Sequence, residues 1–200
     1  VRLKSTADIW LSDANDQERS SSAGKADRMK LKSIQEMAAI RFDAAPAAGH
    51  EVKKATLYLC RAGTDMLRYI RVSTVSQDWE EGNGKGSYGP GDGATYTFAD
   101  FTSKRAWAWP GSSFCDVIMS SGQSLAAWAE RKVEKDGWIS VELSPELVYA
   151  LVCGDTDGLC VMDGGTLLLS NNFVFSSQAK GHEPYLKVEL GAALNQAPPA

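Results

Sequence analysis

Hydrophobic and polar residues alternate with a period of two along several stretches of the chain, which is the pattern of a strand with one buried and one exposed face. The clearest alternation covers three stretches, residues 55–60, 139–143 and 186–190. Shorter runs rich in β-branched and aromatic residues predict further strands at 29–32, 37–42, 69–75, 159–162, 166–170 and 172–176. Glycine, proline and aspartate between these runs predict the turns that separate the strands.

Two segments favour short helices instead. Residues 123–132 (QSLAAWAERK) place three apolar side chains, including Trp128, at helical spacing. Ser144 followed by Pro145 supplies an N-cap and a proline at the first helical position. Neither segment is long enough to form a structural layer.

The pattern as a whole predicts an all-β fold, a jelly-roll β-sandwich of two antiparallel sheets with one or two short helices. A chain of 200 residues fits one domain of this kind, which we assign to residues 1–190. Residues 191–200 end in a run of alanine, proline and polar residues, and this composition predicts a linker to a neighbouring domain.

Residues 78–110 interrupt the strand pattern. They contain six of the 18 glycines and three of the six tryptophans. Glycine disfavours helices and central strands, because it loses the most backbone entropy on ordering. Disordered segments are poor in aromatic residues, so we expect an ordered, aromatic-lined surface loop, and such loops often carry binding sites.

Charge and motifs exclude several functions. The formal net charge of −4 argues against a nucleic-acid partner, since binding the phosphate backbone needs a basic surface. No apolar run has the length that spans a bilayer, so we expect no membrane insertion. The motifs of serine hydrolases, P-loop enzymes and zinc proteases do not occur. We therefore expect a protein that is not an enzyme and requires no cofactor.

Two features are compatible with structural cross-links. Cys153 and Cys160 flank a short loop that a disulfide would close, and four free, buried thiols are the alternative. Asp13, Asn15 and Asp16 would offer oxygen ligands to a structural calcium ion. The alternative for these three residues is ordinary turn formation.

The aromatic residues of the central stretch carry the strongest functional signal, because a flat ring can stack on the apolar face of a sugar while polar neighbours bind its hydroxyls. Trp107 and Trp109 are spaced by two, so they project from the same side of an extended segment. Their roles as core residues or as stacking platforms both stay open. The complete predicted ligand-binding set is Trp107, Trp109, Tyr88, Tyr96, Arg105, Lys104, Asp100 and Glu81.

Several stretches occur in a characteristic order, among them ADIWLSDANDQ, VKKATLYLCRAG, DWEEGNGKG, AWAWPG and EPYLKVEL. This order resembles that of DNRLRE-type domains and of related carbohydrate-binding modules that include alginate binders. The resemblance implies a jelly-roll module of a secreted or cell-surface bacterial multidomain protein that binds sugar without catalysis. It also implies that Trp79 and Trp109 bracket a variable loop, so we expect Trp79 to be buried.

These observations lead to one functional prediction and one alternative. We predict a non-catalytic, monomeric module that binds a plant or algal cell-wall polysaccharide and brings covalently linked neighbouring domains to it. The alternative is a structural or adhesive spacer domain, in which the aromatic residues of the loop only fill a small core.

Overall fold

The computed structural model describes residues 1–63, 67–86, 91–119, 126–165 and 171–194. The strand predicted at 166–170 lies outside these ranges. In chain order the strands are β1 (Arg2–Ser12), β2 (Arg28–Leu31), β3 (Glu36–Phe42), β4 (His50–Cys60), β5 (Tyr69–Thr74), β6 (Phe98–Asp100), β7 (Arg105–Ala106), β8 (Ala126–Glu130), β9 (Lys132–Val133), β10 (Trp138–Leu143), β11 (Leu159–Asp163), β12 (Asn172–Phe175) and β13 (Tyr185–Ala193). The helices are α1 (Asp16–Arg19), α2 (Phe114–Met119) and α3 (Pro145–Cys153).

Nine of these strands form two antiparallel sheets that share β1, while β2 pairs with β12 and β6 with β7 in two-stranded sheets of their own. Arg2, Leu3 and Lys4 of β1 pair with β13, and the rest of the strand, from Ser5 onward, pairs with β3. A shift of register between Ser5 and Ala7 separates the two halves. We call the sheet β1-β13-β4-β10-β9 sheet A and the sheet β8-β5-β11-β3-β1 sheet B. The prediction of an all-β sandwich is confirmed.

The main hydrophobic core lies between the two sheets. Leu57 of β4 and Val141 of β10 point inward from sheet A, and Ile40, Val72 and Val161 meet them from sheet B. Leu57, Val141 and Val72 belong to the apolar half of their strands, as the period-two pattern predicts. The polar half of β4, β10 and β13 consequently faces away from the core.

A second hydrophobic core lies on the opposite side of sheet B. Residues 76–86 and 91–119, which we call the cap, cover this face with Trp79, Trp107 and Phe114, all fully buried. Sheet B meets them with residues such as Met37 of β3 and Met162 of β11. The two strands are thus buried on both faces, which is why they read as continuous apolar runs and not as an alternation.

The cap is pinned to sheet B through Trp79, whose predicted burial is confirmed. Its indole N–H donates to the backbone carbonyl of Asp157 at 2.9 Å, and its backbone N–H donates to the Asp157 carboxylate at 3.1 Å. The Arg41 guanidinium lies 4.3 Å from a Trp79 ring centroid and bonds the same carboxylate. The aromatic residues Trp79, Trp107 and Tyr96 of this glycine-rich segment are thus packed in a core.

The helix predicted at 123–132 is wrong. Residues 126–130 form β8, an edge strand that pairs with β5 so that Glu130 lies opposite Tyr69. The segment contains both a helical and a period-two arrangement of alanines around Trp128, and pairing with a distant strand decides between them. The second predicted helix is confirmed as α3, which runs from Pro145 to Cys153 and ends at Gly154 in the left-handed conformation.

Candidate functional site

Two members of the predicted ligand-binding set, Trp107 and Tyr96, are core residues of the cap, so the core alternative holds for Trp107. Trp107 is 0% exposed, packs on Phe114 at a centroid distance of 4.9 Å, and donates its indole N–H to the Thr95 carbonyl at 3.0 Å. Tyr96 is buried in the same cluster. A ring without a free face cannot stack on a sugar, so both residues serve packing.

Trp109 differs from its neighbour two positions earlier, because it is 51% exposed. Its backbone N–H and carbonyl bond the Ser112 side chain across a tight turn that carries Gly111 at a positive φ. The ring is thus displayed on the outside of the cap. Its role as a stacking platform stays a prediction.

The predicted polar partners are engaged in contacts within the cap, and Glu81 also ties the cap to the rest of the chain. Glu81 accepts hydrogen bonds from Lys25 and from the Asp8 backbone N–H, Arg105 pairs with Asp78, and the Lys104 ammonium lies 3.1 Å from the Phe101 ring centroid. The Asp100 carboxylate accepts from the Ser103 hydroxyl within its own turn, and this bond holds its pKa below the usual value. Tyr88 lies outside the described residues.

The residues predicted to bind calcium cap α1. The Asn15 side chain accepts a hydrogen bond from the Glu18 backbone N–H at 3.0 Å, and Asp13 pairs with Arg19 at 2.8 Å. Asp16 lies in the first turn of the helix, where its charge is favourable. Within the described ranges there is no group of three or more histidine, cysteine or acidic side chains that could hold a metal ion. Calcium binding stays a prediction.

The predicted disulfide between Cys153 and Cys160 is wrong, since all four cysteines are free. Cys160 lies on β11 with its side chain in the second core, whereas Cys153 is exposed at the end of α3. Burial raises the pKa of the Cys160 thiol well above its usual range. The alternative of four buried thiols holds only for Cys60 and Cys160.

In contrast to the face of sheet B under the cap, the outer face of sheet A is left uncovered by the described residues. Its side chains form rows across the strands, because residues with matching register share one face. One row runs from Lys4 through Tyr185, Tyr58 and Ser140 to Lys132. The next row contains Arg2, Lys187, Thr56 and Glu142.

This face contains a groove with a volume of about 550 Å³. Hydroxyl groups of Thr56, Tyr58 and Ser140 line it, together with three lysines and three glutamates. In the part of the chain that the structure describes, the Thr56 and Tyr58 hydroxyls form no side-chain hydrogen bond. They are therefore available to a ligand.

Ion pairs and hydrogen bonds fix the charges of the groove. The Lys54 ammonium lies 3.1 Å from the Glu142 carboxylate and the Lys132 ammonium lies 3.8 Å from it. Hydrogen bonding to Lys54 lowers the pKa of Glu142, so this carboxyl stays ionised. The Ser140 hydroxyl donates to Glu134 at 2.7 Å and orients its carboxylate. The groove thus offers donors and acceptors at defined positions.

An aromatic stack borders the groove. The rings of Tyr58 and Tyr185 are stacked at 4.7 Å, and the Arg2 guanidinium lies 3.6 Å from the Tyr185 ring centroid. Trp138 meets Tyr185 edge-on at 5.3 Å. Burial in this stack raises the pKa of the Tyr185 hydroxyl. Beyond Tyr185 lies a second hollow of about 380 Å³ that Arg2, Lys4 and Glu183 help to line.

The chain matches no family model, and no curated protein matches it. The resemblance to DNRLRE-type domains and the function that it implies therefore stay predictions. Among the described residues, no helix has both the length and the apolar character needed to cross a bilayer.

The residues of the groove were missed by sequence reasoning, although a signal for them was present. Thr56, Tyr58, Ser140, Glu142 and Lys187 are the polar members of the three clearest alternating stretches. The alternation shows that they face away from the main core. Only the fold shows that this face is uncovered and that their three strands are neighbours.

Proposed function

We propose that this protein is a carbohydrate-binding module that binds a polysaccharide through the groove on sheet A. The observation that carries the proposal is the contrast between the two outer faces of the sandwich. The cap fills one face with apolar side chains, whereas the other keeps a polar groove of about 550 Å³. Ligand sites are concave and few in number, and rigid strands place their polar groups accurately.

The chemistry of the groove suits a sugar polymer. Lysine ammonium groups donate hydrogen bonds to sugar oxygens, glutamate carboxylates accept from sugar hydroxyls, and Thr56 and Tyr58 can do both. The Tyr58 ring adds an apolar surface. Single-site affinities in an open groove of this kind are modest, about 4–8 kcal/mol or millimolar to micromolar.

Two of the three carboxylates of the groove, Glu142 and Glu134, suit binding better than catalysis. A glycosidase needs one carboxyl group with a raised pKa that can protonate the leaving group. Glu142 has the opposite property, because its pairing with Lys54 lowers its pKa. Glu134 is held as an acceptor by Ser140. Both side chains therefore suit hydrogen bonding to sugar hydroxyls.

The proposal includes the setting that the resemblance implies, a secreted or cell-surface protein with covalently linked neighbouring domains. A module that holds the polymer raises the effective concentration of the substrate for an attached domain. Even a modest single-site affinity is useful in such a setting.

Affinity electrophoresis against plant and algal cell-wall polysaccharides tests the proposal. We expect at least one polymer to retard the protein, and Lys187→Ala to reduce the retardation. Lys180→Ala is the matched control, because Lys180 is an exposed lysine in the turn before β13, outside the groove. If no polymer retards the protein, the proposal fails and the structural spacer becomes the better explanation. Retardation that Lys187→Ala leaves unchanged would move the site away from the groove.

A further inference from the structure

Trp128 is an exposed aromatic side chain on the edge strand β8. It is 59% exposed, the highest value among the aromatic residues that the structure describes. It lies opposite Arg71 of β5, and Glu130, two residues further along β8, lies opposite Tyr69. These four residues share the outer face of sheet B at the sheet edge, since Ile70 and Val72 between them point into the main core.

The Trp128 ring is held rigidly although one of its faces is open. Its other face stacks on Tyr69 with a centroid distance of 4.6 Å and an angle of 10° between the planes. The indole N–H donates to the Gly164 carbonyl at 3.2 Å. Tyr69 is in turn supported by the Arg68 guanidinium, 5.0 Å from its ring centroid, and Arg68 pairs with Glu130 at 2.8 Å. A ring fixed in this way loses little conformational entropy when a ligand stacks on it.

Trp128 is also close in the chain to the wall of the groove. Only Arg131 separates β8 from β9, whose first residue, Lys132, lines the groove. Trp128 is four residues from Lys132, so their Cα atoms are at most about 14 Å apart. The chain passes here from sheet B to sheet A around the edge of the sandwich. β8 lies beside β10 of sheet A at this edge, so a polymer that leaves the groove over β9 and turns around the edge of the sandwich reaches β8.

We propose that Trp128 is an additional stacking subsite for a pyranose ring of the same polysaccharide, beyond the end of the groove. This inference rests on the proposed function. The open face of the indole ring matches the apolar face of a pyranose, and Arg71, its cross-strand neighbour, provides hydrogen-bond donors beside it. A short oligosaccharide fills the groove alone, whereas a longer chain contacts the groove and Trp128 together.

The test is the dependence of affinity on chain length. Oligosaccharides of increasing length, prepared from a polymer that retards the protein, are titrated calorimetrically into the wild type, Trp128→Ala and Trp128→Phe. For the wild type we expect a step of about tenfold in affinity once the chain is long enough to reach β8. Trp128→Ala should lose this step and keep the affinity for short chains. Trp128→Phe keeps a flat ring and should retain part of the step.

Ile34→Ala is the matched control, because Ile34 is an exposed hydrophobic residue (53%) outside both surfaces. It should behave as the wild type at every chain length. Circular dichroism of each variant verifies that the fold is retained. If Trp128→Ala keeps the full step, the subsite is overturned and the proposed function stands. If the wild type binds no oligosaccharide and no polymer, the proposed function itself fails, and the subsite fails with it.

Discussion

The rings of Tyr58 and Tyr185, on neighbouring strands of sheet A, are stacked with their centroids 4.7 Å apart and an angle of 3° between their planes. Arg2 covers the opposite face of Tyr185, so this ring is enclosed within the stack. Tyr58 is the member that lines the groove. One tyrosine therefore supports the other, and the two contribute differently to binding and to stability.

Tyr58→Ala should weaken polysaccharide binding by about tenfold, because it removes the aromatic surface and one hydroxyl from the groove. It should lower the free energy of unfolding by about 1 kcal/mol through the lost ring contact. Titration calorimetry and urea denaturation measure the two effects. Tyr58→Phe is the control, since it keeps the stack. If Tyr58→Ala binds as tightly as the wild type, the ligand does not occupy the groove.

Trp107→Ala should destabilise the protein by about 3–5 kcal/mol, because it leaves a cavity in the second core and removes a buried hydrogen bond. Trp109→Ala should change the free energy of unfolding by less than about 1 kcal/mol, since its ring is half exposed. Chemical denaturation of both variants makes the comparison. Trp109→Ala also tests the cap as a binding surface. Loss of polysaccharide binding in Trp109→Ala would show that the sugar stacks on Trp109 of the cap and would argue against the groove on sheet A.

The buried carboxyl of Asp8 should make stability depend on pH. Burial raises its pKa to about 6, although it accepts a hydrogen bond from the Ser177 backbone N–H at 2.6 Å. The folded state therefore holds a proton that the unfolded state releases near pH 3.8. The protonated Asp8 therefore contributes up to about 3 kcal/mol to the free energy of unfolding. The contribution is complete below pH 3.8 and is lost as the pH rises to about 6.

Asp8→Asn keeps an acceptor for Ser177 and removes the charge. We expect this variant to lose the decline between pH 4 and 6 and to be at least as stable as the wild type at pH 7. Urea denaturation at a series of pH values measures both quantities. An unchanged pH profile in Asp8→Asn would assign the decline to another group.

The free cysteines should differ strongly in reactivity. Cys153 is exposed and should react with a thiol reagent in the folded protein, whereas Cys160 should react only after unfolding. Denatured protein should yield four thiols without prior reduction. In Cys153→Ser the rapid reaction of the folded protein with the thiol reagent should disappear, which assigns that reaction to Cys153. A yield of two thiols in the unreduced, denatured protein would show that two of the cysteines form a disulfide.

Sequence periodicity predicted the strands whose two faces have different surroundings, such as β4, β10 and β13. It did not predict β1, because its two halves pair with different sheets and a register shift lies between them. It gave the wrong structure for residues 126–130, where helical and strand spacing coincide around Trp128. Local sequence carries no information about which distant strand is available for pairing.

The position of the proposed binding surface could not be predicted for a related reason. Trp107 and Trp109 are two positions apart and have similar neighbours in the sequence, yet Trp107 is a core residue and Trp109 is exposed. The difference depends on which part of the cap lies against sheet B. The aromatic residues correctly indicated order in the cap, and the same property made it a core.

Sheet B is the middle layer of three, and around β3 and β11 it has dry surfaces on both sides. Its central strands, β3 and β11, have no path to solvent unless the cap separates from the sandwich, so their backbone amides should be the last to exchange with deuterium. Changes to the buried side of the cap should therefore affect the whole domain. The outer surface of sheet A is free of other described residues, so its polar side chains can be replaced without disturbing either core.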